Sequence, residues 1–251
     1  LDGIGSAREL ARRCESDTPY LWICGGVGTN YHTLSDFRSQ QVEFLDRLLV
    51  DSVTSLIAQG LVPLETIAQD GMRVRANAGS SSFRRKATLE KLQQQSQQHL
   101  DNLKRQSESE SERQQADARK AAAAERAARE RAERLAEALR QQQELSEQRE
   151  KRRKGEGANT RVSTTDPDSR KMKMANGGFD PAYNVQFATD ADARVIVGVD
   201  VTNEGTDGGQ LPGMLDQVSS DYGKRPETAL VDSAYATKEA VTQAERGGTE
   251  V

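Results

Sequence analysis

Ile67-Ala68-Gln69-Asp70-Gly71-Met72-Arg73-Val74-Arg75-Ala76-Asn77-Ala78 is the stretch on which the reading of this chain turns. From Leu64 to Val74 the apolar residues alternate around Asp70 with the two-residue period of a strand. An aspartate there asks for a reason, because Asp is poor in strand interiors and a buried charge needs a partner. A second short apolar run, Thr228-Ala229-Leu230-Val231, ends on another aspartate, Asp232. Between the two, Tyr183-Asn184-Val185-Gln186-Phe187-Ala188 and Arg194-Val195-Ile196-Val197-Gly198-Val199-Asp200-Val201 flank the turn residues Asp190 to Asp192 and read as a hairpin. Leu211, Met214, Leu215 and Val218 predict a helix, Ala236 to Glu245 another, and Glu250-Val251 the opening of a further strand.

The order is strand with Asp, hairpin, helix, strand with Asp, helix, strand start. A three-stranded meander followed by a helix and a fourth strand beside the first is the order of an α/β RNase H-like domain. Residues 63–82 and 161–251 read as its two parts. Residues 83–160, inserted after the first strand, are polar. From Lys104 to Arg134 there is no Leu, Ile, Val, Phe or Met, and Gln, Glu, Arg, Lys and Ala dominate. These are strong helix formers, and their charges interleave at three- and four-residue spacing. Leu89, Leu92, Leu100 and Leu103 lie on one side of the Ser-Glu run at 107–112, and Leu135, Leu139 and Leu145 on the other. Two helical arms folded back there bury the leucines better than one unbroken helix of about 100 Å. The leucines do not sustain a heptad, so a coiled coil is expected here only in an irregular form. Such an insertion is either a solvated helical arm or one that contacts DNA or a partner.

Residues 1–62 read as a small all-α domain. Ser6 caps a first helix running through Arg13, broken by Asp17-Thr18-Pro19. A second helical stretch starts near Thr33 or Ser35 and ends at Gly60. Gly25-Gly26-Val27-Gly28 is a plain turn, because no strand precedes it and no Lys-Ser/Thr follows. The 251 residues are 35% apolar, 4% aromatic and 29% charged, so ordinary globular segments are diluted by the polar stretch. The net charge of −4 does not by itself suggest nucleic acid. Cys14 and Cys24 have no Cys/His neighbours at metal-ligand spacing and read as reduced structural thiols in a cytoplasmic protein; His32 and His99 lie far apart. No apolar run approaches the ~20 residues of a membrane span. The chain opens on Leu without a secretory signal and is expected to be a fragment.

Cleavage of a phosphodiester by two metal ions needs carboxylates converging on one point, because Mg²⁺ is hard and prefers oxygen. Asp70 on a central strand and Asp232 at the end of an adjacent one meet that demand. Arg73, Arg75, Arg84, Arg85 and Lys86 follow the first aspartate and are either surface charges or contacts to the DNA backbone. Asp166 and Asp168, around Pro167, read as turn formers. Asn184 and Gln186 share one face of their strand.

Taken together these residues resemble bacterial insertion-sequence DDE transposases. The stretch from Ile67 to Ala78 is similar to the first-aspartate motif, with Met72 where Thr is usual. Leu230-Val231-Asp232-Ser233-Ala234-Tyr235 is similar to the second, with Ala234 in place of Gly. Thr165 to Arg170, Gly177-Gly178 and Tyr183 to Gln186 resemble the linker and second strand. Ser6 to Arg13, the Trp22 region and Thr33 to Arg38 resemble the N-terminal helical domain of that group. The resemblance implies a DNA transposase that binds element ends as a homo-oligomer on double-stranded DNA and uses two Mg²⁺ or Mn²⁺ ions, with Asp70 and Asp232 as catalytic metal ligands and no membrane association. It also implies a third carboxylate, a Glu on a helix beyond the fifth strand. The sequence ends inside that expected strand, so the chain reads as a truncated copy in which Glu250 is not that Glu. The competing expectations are a catalytically dead DNA-binding or interaction fragment, and a non-transposing RNase H-like nuclease.

Overall fold

The computed structural model describes residues 4, 6–109 and 115–251. Helix α1 (Ala7–Ser16) starts at Ser6, whose hydroxyl accepts from the Glu9 N–H at 3.4 Å. Helix α2 (Thr18–Ile23) carries Pro19 in its first turn, where the missing N–H costs nothing. Gly25 and Gly26 follow with φ of 62° and 76°, making the expected turn. The helical stretch expected from Thr33 or Ser35 to Gly60 is two helices, α3 (Tyr31–Gln40) and α4 (Val42–Ala58). They are broken at Gln41, whose φ of −108° and ψ of 34° leave the helical region, and Phe37 and Phe44 pack edge to face across the break at 6.2 Å. Helices α1 to α3 bury only Ala11 and Cys14. Helix α4 instead turns Val53 into the core beneath the sheet, with Leu49, Leu56 and Ile57 packed beside it.

Strand β1 (Thr66–Arg75) leads to a short pair, β2 (Phe83–Arg84) with β3 (Val162–Ser163), that closes the root of the insertion. Between them lie α5 (Lys86–Ser109) and α6 (Gln115–Arg152). The two helices pack together, Leu89 of α5 meeting Leu135 and Ala138 of α6 along with Val162. With so few residues between them they must run antiparallel. The reversal expected near 107–112 falls partly on residues 110–114, outside the described residues. The seam of α6 does keep a heptad: Ala128, Leu135 and Gln142 are buried at seven-residue spacing. The leucines alone hid it, because Ala and Gln occupy seam positions. The arm docks on the sheet through polar contacts. Gln141 donates to Asp168 Oδ1 at 3.0 Å, and Arg170 donates to Gln141 Oε1 at 2.6 Å.

The main sheet adds β4 (Arg170–Lys173), β5 (Phe179–Asp190), β6 (Ile196–Thr202) and β7 (Thr228–Leu230). Strand β5 pairs antiparallel with β1 along one edge; on its other edge it pairs with β4 at one end and β6 along the rest. Strand β7 lies parallel to β1 on the far side, and Glu250 bridges to Thr228 in the same sense. The molecule is thus mixed α/β, with the strand row β6-β5-β1-β7 continued by Glu250. Helices α7 (Gln210–Tyr222) and α8 (Lys238–Arg246) join α4 on one face, over Leu64, Ile67, Ala188, Val197 and Ala229. The other face is open: Met72, Val74, Val201 and Leu230 are exposed. Among the described residues no helix is long and apolar enough to cross a membrane.

One carboxylate pins the start of β1. Asp190 is fully buried and accepts from the N–H groups of Leu64 at 2.9 Å, Asp192 at 3.1 Å and Ala193 at 2.7 Å. Leu64 is held at a φ of 54°, a conformation that costs a branched residue about 1–3 kcal/mol. Asp190→Ala strands three donors at once. It is expected to lower unfolding stability by about 3 kcal/mol, read as a lower urea midpoint, and an unchanged midpoint would show that these bonds do not hold β1.

Candidate active site

Strand alternation sorts β1 into two faces. Ile67, Gln69, Gly71 and Arg73 point toward the helices, and Ala68, Asp70, Met72 and Val74 point to the open face. Asp70 is exposed, opposite Phe187 of β5, and its Oδ1 accepts from the Gly71 N–H at 2.7 Å. On the other side of β1 the parallel register runs Ile67 to Ala229 and Ala68 to Leu230. The ladder ends there: Asp70 lies two residues further along β1, and Asp232 lies two residues past the end of β7, just before a turn. Asp232 is likewise exposed, and its Oδ1 accepts from the Ala234 N–H at 2.8 Å. The two aspartates picked from the sequence thus lie near the carboxyl-terminal end of the β1–β7 ladder, and both act electrostatically on the hydroxyl of Tyr235.

On the inner face lies a polar cluster. Arg73 bonds Asp207 through both nitrogens, at 3.1 and 3.0 Å, donates to the Gly205 carbonyl at 3.2 Å, and donates to Asn184 Oδ1. Asp207 Oδ1 also accepts from Asn184 at 2.8 Å and Gln186 at 3.0 Å. Gln186 Oε1 accepts from Gln69 at 3.0 Å and from the Tyr235 hydroxyl at 2.6 Å. Burial raises the Asp207 pKa, but the hydrogen bonds from Arg73, Asn184 and Gln186 outweigh it and leave the carboxyl below its ordinary value. Burial, and after it the charge of Asp207, push the Tyr235 hydroxyl up; Asp70 and Asp232 add to the same direction.

This cluster explains the glycine after Asp70. A Cβ on Gly71 would lie 2.8 Å from both Asp207 Oδ1 and the Tyr235 hydroxyl, and it would also strike Gln186. Sequence reasoning missed Asp207. A signal was present: Gln69, Arg73, Asn184 and Gln186 all fall on the inner face of their strands, and a buried cation and three amides require an acidic partner.

No family model, curated protein or solved structure matches the chain. The site therefore rests on its own geometry. The basic residues picked with it divide. Arg73 is spent on Asp207, on the inner face. Arg75 pairs with Asp180 at 3.0 Å and Lys86 with Glu90 at 4.0 Å, all three pairs being ion pairs of this chain. Arg84 and Arg85 are exposed, and among the described residues neither has an ion-pair partner. Asp166 accepts from the Tyr183 hydroxyl at 2.6 Å and, with Asp168, ties the turn before β4 to its surroundings.

The donor set at Asp70 and Asp232 is two hard carboxylate oxygen groups open to solvent. It suits a divalent ion that keeps most of its own waters, as Mg²⁺ does when held by one or two carboxylates and a substrate phosphate. Asp207 is no third ligand, since it faces the other side of β1 and its oxygens are occupied. Among the described residues no three His, Cys, Asp or Glu side chains converge as a metal-holding group.

Two outcomes are expected. Gly71→Ala forces the cluster apart and should cost about 1–3 kcal/mol, measured by denaturant unfolding. Asp207, with its folded pKa depressed, contributes stability that is complete above the unfolded Asp value of about 3.9 and fades as pH falls through the lower folded value. The stability gap between the native chain and Asp207→Asn should be constant from about pH 5 upward and narrow below about pH 4. A gap that widens on acidification contradicts the assignment.

Proposed function

We propose that this chain is the RNase H-like catalytic domain, with an N-terminal all-α domain, of a DNA transposase of the DDE type. What carries the reading is the placement of Asp70 on β1 and of Asp232 two residues past the end of the parallel neighbour β7. Three features support it: the antiparallel β1-β5-β6 meander, the parallel β7 beside β1, and a helical arm inserted directly after the strand that bears Asp70. In this reading Asp70 and Asp232 hold Mg²⁺ or Mn²⁺ at the phosphodiester of double-stranded DNA. When bound, such ions activate the attacking oxygen and stabilise the leaving one. The chain's own contribution is to place Asp70 on a strand and Asp232 just past the end of its neighbour, both open to a bulky substrate, with β1 braced from behind by the Asp207 cluster. Exposed Arg84 and Arg85, at the root of the arm and following the end of β1, can meet phosphates of the same duplex. Assembly as a homo-oligomer on the DNA belongs to the same proposal.

A second reading has one observation in its favour. No third carboxylate joins Asp70 and Asp232 among the described residues. That suits a catalytically dead fragment that binds DNA or a partner.

The two are separated by nicking of duplex DNA carrying the ends of the element that encodes the chain, with Mg²⁺ or Mn²⁺ supplied. The first reading expects divalent-dependent cleavage that falls by at least about 100-fold in Asp70→Asn and in Asp232→Asn, since even residues behind a metal ligand are worth 10- to 100-fold. DNA binding without cleavage supports the second reading. Cleavage that survives in both variants would falsify the assignment of the site.

A further inference from the structure

The ladder between β1 and β7 ends at Ala68 and Leu230, two residues short of Asp232. Asp70 is therefore held by a strand paired through Arg75, whereas Asp232 sits at the head of a turn. That turn is closed locally. The Tyr235 N–H donates to the Asp232 carbonyl at 3.1 Å, and the Thr237 N–H donates to the Tyr235 carbonyl at 2.8 Å. Nothing in these bonds relates the turn to β1.

Tyr235 supplies the missing relation. It is three residues past Asp232, it is 1% exposed, and its ring belongs to the apolar core under the sheet. Its hydroxyl donates to Gln186 Oε1 at 2.6 Å, and Gln186 is gripped in turn by Gln69 of β1 at 3.0 Å. The phenol oxygen lies 2.8 Å from where a Cβ of Gly71 would stand. One rigid side chain thus starts in the turn that carries Asp232 and ends against the residue next to Asp70. We infer that Tyr235 is a positioning residue whose phenol, anchored on Gln186 beneath Gly71, sets the separation of the Asp70 and Asp232 carboxylates. Only the consequence for metal binding rests on the function proposed above; the separation itself does not.

The test uses the full chain and two readouts. In the first, Asp70→Cys and Asp232→Cys are spin-labelled together in a chain whose own free thiols are removed by Cys14→Ala and Cys24→Ser, and the dipolar broadening between the labels is recorded with Tyr235 present and in Tyr235→Phe. A narrow distance distribution that spreads in Tyr235→Phe is the expected result. Gln186→Met, which removes the acceptor and leaves the phenol, should spread it in the same way. In the second, Mn²⁺ alone is titrated into the unlabelled chain and the free-ion signal followed. Tyr235→Phe is expected to bind Mn²⁺ about 10-fold more weakly, the loss usual for a group behind a ligand. Its unfolding midpoint should stay close to that of the native chain, a split that a merely structural role would not give. An unchanged distance distribution in both variants overturns the inference. So does native Mn²⁺ affinity in Tyr235→Phe when Asp70→Asn and Asp232→Asn have lost binding. If instead the two aspartate variants bind Mn²⁺ as the native chain does, the metal reading fails, and the label distances still decide the role of Tyr235.

Discussion

A carboxylate wedged under a glycine organises this domain. Asp207 comes from the loop between β6 and α7, yet it receives hydrogen bonds from Arg73 on β1 and from Asn184 and Gln186 on β5. Taking these groups from water costs several kcal/mol unless each is matched. Here they are matched to one another, and the match fixes where the β6–α7 loop, the two central strands and the turn after β7 stand relative to each other. The fit demands that β1 have no side chain at residue 71. Glycine at that position leaves the next residue back, Asp70, on the opposite and open face.

The two faces of β1 therefore divide the work. The inner face buries polar residues that bond one another, Gln69 Oε1 alone of this cluster lacking a partner, and the helices α4, α7 and α8 close over the apolar remainder. The outer face carries the two exposed aspartates among Met72, Val74, Val201 and Leu230, which are also exposed. Asp70 is fixed by the sheet, whereas Asp232 stands in the segment just past β7. The arm follows β1, the strand that carries Asp70, by way of the short strand β2. Gln141, Asp168 and Arg170 tie α6 to the sheet edge by hydrogen bonds rather than by a broad apolar contact.

Much of the strand order was legible because each strand carries its own signal. Alternation around Asp70, the apolar run before Asp232 and the Asp190 to Asp192 turn located β1, β7 and the β5–β6 hairpin to within a few residues. The short strands β2, β3 and β4 were not legible: they are two to four residues long and carry Arg, Lys and Ser, which gives no periodicity to read. The break at Gln41 was hidden because the apolar pattern runs straight across it. The heptad seam of α6 was hidden because Ala and Gln stand where Leu would announce it. At the site, Asp70 and Asp232 were visible by context. Asp207 was not, because its meaning depends on Arg73, Asn184 and Gln186, which lie 21 to 134 residues away and meet it only in the folded chain. Arg73 was read as a surface or DNA-facing charge for the same reason; strand parity places it inside.

If Asp70 and Asp232 hold a divalent ion together, as proposed, crystals of the chain soaked in Mn²⁺ will show it by anomalous diffraction. The expected result is an anomalous peak, single or double, between the two carboxylates. A peak elsewhere, or one that touches Asp207 on the inner face, would contradict it.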